Sequence, residues 1–156
     1  ERGLRAGTEN VAGIAGFGVA ADLVLQNLDV MSKVAILRDS LEQGLLAIDP
    51  SINIHGRAVD RLPNTVCVSM PGVDAETQVI SLDLAGIMVS AGSACSSGKV
   101  TASHVLKAMG LDDEIISSAI RVSLGWQTTI DDVKNFLVAW RDLYENARVP
   151  RATAAE

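Results

Sequence analysis

The spacing of apolar residues changes at Pro50, and this change most restricts the fold of the chain. Before it, apolar residues recur every three or four positions, which predicts a helix with one face toward a core. That stripe consists of Val30, Val34, Leu37, Leu41, Leu45 and Ile48. The outward face is predicted to carry Ser32, Lys33, Asp39 and Glu42, and Pro50 ends the helix.

After Pro50, short β-prone segments alternate with helical ones, so this part of the chain is predicted to be α/β or α+β. The expected strands are 52–54, 65–70, 87–90 and 118–124. The expected helices run from an Asp74 cap to Leu84, from Ser103 to Met109, and onward from a capping-box-like start at Thr129. The last helix carries a stripe of Ile130, Val133, Leu137, Trp140 and Tyr144.

The segment 9–26 is apolar but contains three glycines, each of which costs a helix roughly 0.5–1 kcal/mol relative to Ala. A helix is therefore expected there only if another element packs against the glycine face. The tail 149–156 is small and polar and is expected to fray. The chain opens Glu1-Arg2-Gly3 without a Met, so we expect it to be a piece of a longer protein.

Composition excludes several classes of function. Thirteen basic against nineteen acidic residues give a net charge of −6, which argues against nucleic-acid binding. Charges interrupt every apolar run before the roughly 18–20 residues of a membrane span, so no membrane partner is expected. The two cysteines and two histidines form no zinc signature and no disulfide framework, so free thiols in a reducing, cytoplasmic setting are predicted and no metal is expected.

The most unusual stretch places Cys95 among very small residues, in Ser90-Ala-Gly-Ser-Ala-Cys95-Ser-Ser-Gly-Lys99. An accessible thiol on a loop of small residues suits a nucleophile that must travel to its substrate. A polar surface loop with an incidental cysteine explains the composition equally well. A phosphate-binding P-loop does not, because five residues separate Gly92 from Gly98 and Val100 follows Lys99.

Two further motifs contain arginines. Arg2-Gly-Leu-Arg5-Ala-Gly-Thr8-Glu-Asn10 precedes a helix and suits anion binding, although an ordinary capping loop is favoured locally. Arg121 stands between Ile120 and Val122 in a predicted strand, where it can bind a carboxylate through two hydrogen bonds. An internal salt bridge is the locally favoured explanation for Arg121. Cys67 is predicted to lie in the core, and His55 and His104 to be structural.

Taken together in their order and spacing, these motifs resemble the C-terminal portion of a cysteine desulfurase. The similarity is to the NifS/IscS-type group of the class V aminotransferase family, which are pyridoxal-phosphate enzymes of fold type I. The motifs that carry it are the arginine-glycine segment ending at Asn10, Ser93-Ala-Cys95-Ser-Ser97, the segment 103–110 and Ile120-Arg121-Val-Ser-Leu-Gly125.

The resemblance implies a role for each candidate residue. Cys95 would be the nucleophile that takes sulfur from L-cysteine as a persulfide, leaving L-alanine. Arg121 would bind the substrate carboxylate, and Thr8 would reach the phosphate of the partner subunit's pyridoxal phosphate in a homodimer. The persulfide would pass to an iron–sulfur scaffold or another acceptor.

The resemblance also implies a domain plan. Residues 1–26 would end the large cofactor-binding domain, 27–50 would form a connecting helix, and 51–148 would form the small C-terminal α/β (α+β) domain that carries the cysteine loop. The Schiff-base lysine of the family lies in a His-Lys motif that this chain lacks. The chain alone is therefore expected to be inactive. A selenocysteine lyase or a sulfur-relay module without catalysis remains an alternative.

Overall fold

The computed structural model describes residues 7–92 and 103–148, and within them helices alternate with short strands. The helices are α1 (Val11–Gln26), α2 (Val30–Ile48), α3 (Ala75–Leu84), α4 (His104–Ala108), α5 (Asp113–Ser117) and α6 (Ile130–Arg148). The strands are β1 (Asn53–His55), β2 (Thr65–Ser69), β3 (Ser90–Ala91) and β4 (Ala119–Ser123). The predicted change from a helical to a mixed pattern at Pro50 is confirmed.

The four strands form one antiparallel sheet in the order β1-β2-β4-β3. Successive side chains of a strand point to opposite faces, so each strand supplies one residue set to each face. Val66 and Val68 of β2 lie opposite Val122 and Ile120 of β4, and all four are buried. This face is the one that packs into the main core.

Helices α2, α3 and α6 contribute to that core. Val34, Leu41 and Leu45 of α2 are at most 2% exposed, as the predicted stripe requires. Trp140 of α6 is fully buried and stacks on Tyr144, with ring centroids 5.4 Å apart. The stripe of α6 is wrong only at Ile130, which is 44% exposed because it begins the helix beyond the edge of the core.

Polar caps hold both ends of α6. Thr129 N–H donates to Asp132 Oδ2 at 2.8 Å, and Asp132 N–H donates back to Thr129 Oγ1 at 3.2 Å, so the predicted capping box is confirmed. At the other end, the Tyr144 hydroxyl donates to Asp49, the residue that caps α2. This hydrogen bond joins the C-terminal ends of α2 and α6.

Glu42 corrects one prediction, because it is 4% exposed and not on an outward face. The loop after β1 returns across α2 and covers it. Arg61 from that loop forms a salt bridge with the Glu42 carboxylate, and Arg57 lies 3.4 Å from its other oxygen. Two guanidinium groups thus replace the water that an exposed carboxylate would bind.

Helix α1 forms although no side chain of it is buried against the other described residues. A Cβ at Gly16 or Gly18 would meet nothing within 4 Å, so the expected packing on the glycine face is not seen. Asn10 caps the helix by accepting from Gly13 N–H at 3.1 Å. No single described helix is both long and apolar enough to cross a membrane. Taken together, α1 and α2 have the required length and apolarity, but they are bent by 74° relative to each other.

Asp74 lies at the N-cap position of α3 as predicted, but its side chain makes no capping hydrogen bond. Two further elements also differ from the prediction. The strand expected at 87–90 is instead the two-residue β3, because residues 87–89 lead out of α3 after Gly86, whose φ is +77°. Helix α5 was not predicted at all, although Asp112 at its cap position and acidic residues in its first turn are typical of a helix start. Residues 149–156, expected to fray, lie outside the described part.

Candidate functional site

The face of the sheet turned away from the main core carries a row of four side chains. The strand register places His55 opposite Cys67, Cys67 opposite Arg121, and Arg121 opposite Ser90. Directly opposite residues of antiparallel strands have Cβ atoms about 4.5–5.5 Å apart, so these neighbours are in reach of each other. We call His55, Cys67, Arg121 and Ser90 the cross-strand row.

Helices α4 and α5 cover part of this face and leave a cavity of about 230 Å³ beside the row. Leu106 of α4 and Ile116 of α5 pack on Ala119, and Cys67 packs against the same small cluster. The lining residues that carry polar groups are His55, Cys67, Ser103 and Arg121. Among the described residues, the cavity therefore combines an apolar wall with a permanent cation, a thiol and an imidazole.

Arg121 is exposed, and the internal salt bridge favoured from its local sequence is wrong for the described residues. No carboxylate of residues 7–92 or 103–148 forms a salt bridge with it. The physical reason is strand alternation: Ile120 and Val122 face the core, while Arg121 points to the opposite face. Arg121 thus lines the cavity without an acidic neighbour among the residues that the structure describes.

The Cys67 thiol is half-buried in the second, smaller apolar cluster, and not in the main core. Burial raises its pKa above the usual range, and the positive charge of Arg121 opposes this effect only in part. Cys67 is therefore a neutral thiol at neutral pH. A neutral thiol leaves the charge of Arg121 uncompensated.

His55 is anchored by a short chain of hydrogen bonds. The Ser69 hydroxyl donates to the carbonyl of Ile115 at 2.8 Å, and His55 Nε2 lies 2.7 Å from the same hydroxyl oxygen. Because the Ser69 hydroxyl donates its one proton to the Ile115 carbonyl, its oxygen can only accept from His55. His55 therefore donates through Nε2, which assigns the Nε2–H tautomer. Burial also lowers the pKa of His55, so the imidazole is neutral. The structural role predicted for His55 holds, and it also borders the cavity.

Thr8 lies exposed just before α1 and does not line the cavity. The structure therefore does not bring Thr8 and Arg121 into one site within this chain. Cys95, Lys99, Arg2 and Arg5 lie outside the described residues. Gly92 and Ser103, the described residues that flank the segment with Cys95, both line the cavity beside Arg121.

A larger groove of about 710 Å³ runs between α6 and the segment after α3. Its described lining is mostly apolar, with Ser123, Thr128 and Asn135 as uncharged polar residues and Asp132 and Asp142 as charged ones. None of these described residues is a lysine, arginine, histidine or cysteine. No three acidic, histidine or cysteine side chains in the described ranges converge in a way that would hold a metal ion. Of these two spaces, the smaller cavity is therefore the one whose described lining holds a cation, a thiol and an imidazole.

Sequence reasoning singled out Arg121 but missed its neighbours. Cys67 precedes Arg121 by more than fifty residues, and Ser90 belongs to a strand of two residues. Only the strand register brings them together, and no local pattern encodes that register. The β-prone run around Cys67 and the alternation around Arg121 were the available signals.

Comparison with known proteins gives a consistent result. The model of the family described as "Aminotransferase class-V" matches residues 1–136. The cysteine desulfurase of Cereibacter sphaeroides is 42% identical over 156 residues, which are 100% of this chain and 40% of that protein. The cysteine desulfurase NifS of Azotobacter vinelandii is 41% identical over 134 residues, which are 85% of this chain and 33% of that protein.

A solved structure shows the same similarity in three dimensions. The NifS-like protein of Rickettsia africae superposes with a TM-score of 0.80 at 38% sequence identity, covering 91% of this chain and 37% of that one. The chain thus spans only about a third to two fifths of the length of the relatives it matches.

Proposed function

The chain belongs to the class V aminotransferase family, and we propose that it is the part of a cysteine desulfurase that binds the substrate carboxylate and carries the nucleophilic cysteine. The predicted fold class, a mixed α/β chain of a fold-type-I enzyme, is confirmed by its sheet and by its similarity to NifS-like proteins.

One observation carries the proposal for this chain: the guanidinium of Arg121 stands in a cavity with no described carboxylate beside it. An arginine can bind a carboxylate through two parallel hydrogen bonds, which fixes the orientation of the ligand as well as its position. The cavity, at about 230 Å³, suits a small amino acid better than a large ligand.

Enzymes of this family use pyridoxal phosphate, and the residues of this chain fit only part of the cofactor's requirements. Thr8 offers a hydroxyl on an exposed segment before a helix, which suits a phosphate bound from another subunit. No described lysine lines the cavity, and Lys134 is paired with Asp131. When bound, the cofactor would act as the electron sink that makes the Cβ–S bond of L-cysteine breakable.

Cys95 supplies the other half of the proposed reaction. Its thiolate attacks the substrate sulfur, and an S–S bond forms as the substrate's Cβ–S bond breaks. The electron pair of the broken bond stays with carbon, which takes a proton and becomes the methyl group of L-alanine. Cys95 then holds the sulfur as a persulfide until an acceptor, such as an iron–sulfur scaffold, removes it.

The exposed surface of α1 supports the proposed domain plan. Large apolar side chains such as Phe17 and Leu25 are 79% and 69% exposed, and apolar helices of this kind normally pack against protein. We propose that α1 packs in the large cofactor-binding domain of a homodimer, and that the enzyme works in the cytoplasm. The free thiol of Cys67 supports that location.

The test is L-cysteine turnover by the whole protein loaded with pyridoxal phosphate. Equal amounts of L-alanine and of protein-bound or released sulfur are expected, and alkylation with mass spectrometry should find the persulfide on the peptide with Cys95 and not on that with Cys67. Cys95→Ala should abolish the persulfide while leaving the cofactor absorbance intact. Turnover of selenocysteine alone, independent of Cys95, would contradict the proposal.

A further inference from the structure

The neighbours of Arg121 on the described strands share a property that the proposed function does not by itself require: none of them carries an acidic group. Cys67 flanks it on β2 and Ser90 on β3. The remaining residues on the same face of β2 and β4 nearest to it are Thr65, Ser69, Ala119 and Ser123. All six are uncharged at neutral pH.

This neutrality stands out against the composition of the chain. Acidic residues outnumber basic ones nineteen to thirteen. Of the other described arginines, Arg38, Arg57, Arg61 and Arg148 each form a salt bridge with a carboxylate, and Arg141 on the exposed side of α6 is the exception. A carboxylate directly across the strand from Arg121 would lie about 4.5–5.5 Å away at Cβ, close enough for its oxygens to reach the guanidinium. Such a carboxylate would occupy the donors that a ligand carboxylate needs.

We propose that Cys67 and Ser90 are positioning residues that act through Arg121: as small neutral flanks on both sides, they keep its guanidinium unpaired and available for the carboxylate of an amino-acid substrate. This inference rests on the proposed role of Arg121 and adds a specificity determinant to it. The inference concerns charge and not size, because an acidic side chain would pair with the Arg121 guanidinium whereas a neutral side chain of equal size would not.

Two acidic substitutions with equal-sized neutral counterparts test the inference in the holoenzyme. Cys67→Asp and Ser90→Asp each place a competing carboxylate next to Arg121, whereas Cys67→Asn and Ser90→Asn change volume equally without adding charge. Thr77→Asp, on the exposed surface of α3, adds the same charge elsewhere. KM and kcat for L-cysteine are measured for all five, with circular dichroism to confirm folding.

Each acidic variant is expected to raise KM for L-cysteine about tenfold or more relative to its Asn counterpart, which corresponds to about 1.4 kcal/mol of lost binding. The kcat should change less than about twofold, because the competing ion pair weakens binding before the chemical step. Ser90 is exposed, so Ser90→Asp decides the question if Cys67→Asp fails to fold. Acidic variants that match their Asn counterparts would overturn the inference.

Arg121→Gln separates this inference from the proposed function. If Arg121→Gln raises KM while the acidic variants do not, the flanking residues have no such role and the function of Arg121 stands. If Arg121→Gln leaves KM unchanged, Arg121 does not bind the substrate and both proposals fail.

Discussion

Replacing Gly44 by Ala tests how tightly α2 and α6 are packed. Gly44 lies in the interior of α2, facing α6, and a Cβ built there would lie 2.2 Å from Leu137 Cδ1 and 3.1 Å from Leu137 Cγ. Non-bonded carbon atoms do not approach to 2.2 Å, and 3.1 Å is tighter than most such contacts, so the end of the leucine must turn and its Cγ must also shift by a few tenths of an ångström. The two helices or the whole Leu137 side chain must move.

Two opposing effects set the size of the change. Ala is favoured over Gly in a helix interior by about 1 kcal/mol, because Gly loses more backbone freedom on folding. Overpacking a well-filled contact costs about 1–3 kcal/mol. We therefore expect Gly44→Ala to lower the free energy of unfolding by about 0–2 kcal/mol, the reverse of the usual effect of this substitution.

A double-mutant cycle with Leu137→Ala isolates the contact. Once the leucine is shortened, the new methyl has space, and Gly44→Ala should stabilise by about 1 kcal/mol, so the coupling energy is about 1–3 kcal/mol. Urea unfolding followed by tryptophan fluorescence measures it, since Trp140 is fully buried while Trp126 is 74% exposed in the folded protein. An equal stabilisation by Gly44→Ala with and without Leu137 would refute the reasoning.

Four further substitutions have expected outcomes in the same unfolding assay. Glu42→Gln should lower the free energy of unfolding by about 2 kcal/mol, since it removes the carboxylate that pairs with Arg61 in a buried position. Arg57→Gln should lower it by less than about 1 kcal/mol, because Arg57 is an exposed partner of Glu42. Gln78→Met should lower the free energy of unfolding by about 1–3 kcal/mol. Gln78 is fully buried, and its Nε2 donates to the carbonyls of Val73 and Ser118 at 3.0 and 2.7 Å. Equal stability of the variant and the unchanged protein would contradict this. Hydrogen bonds from Ser51, and to a smaller extent from Tyr144, lower the pKa of Asp49. The ionised Asp49 therefore contributes to the free energy of unfolding above its unfolded pKa of about 3.9, and this contribution is lost as pH falls through the folded value. Stability should therefore decline in acid, and Asp49→Asn should flatten that decline.

Local periodicity predicted the helices that carry the core, because the pattern of α2 and α6 depends on neighbours three and four residues away. It placed Val34, Leu41 and Leu45 correctly. The same pattern misplaced Glu42, since what covers Glu42 is a loop that includes Arg61, nineteen residues later. Helical spacing contains no information about a covering loop, so a buried carboxylate looks like an exposed one.

The candidate site shows the same division between local and distant information. Arg121 was recognisable because a cation between two apolar strand residues is unusual. Its local environment favoured a salt bridge, which it does not form with any carboxylate in residues 7–92 or 103–148. Whether a strand arginine has an acidic partner depends on which residues the register places across from it. For Arg121 those are Cys67 and Ser90, and neither could be assigned without the sheet.

The alternation of side chains along β4 places residues that stabilise the fold on one face of the sheet and the residue proposed to bind a ligand on the other. Ile120 and Val122 are buried in the main core, so shortening either side chain should act on folding, with little direct effect on a ligand. Arg121 lies between them on the other face, where it contributes nothing to that core. Moving the register of β4 by one residue would exchange the two sets, burying the guanidinium and exposing the apolar residues. The hydrophobic requirement that fixes the fold is therefore also what directs Arg121 into the cavity.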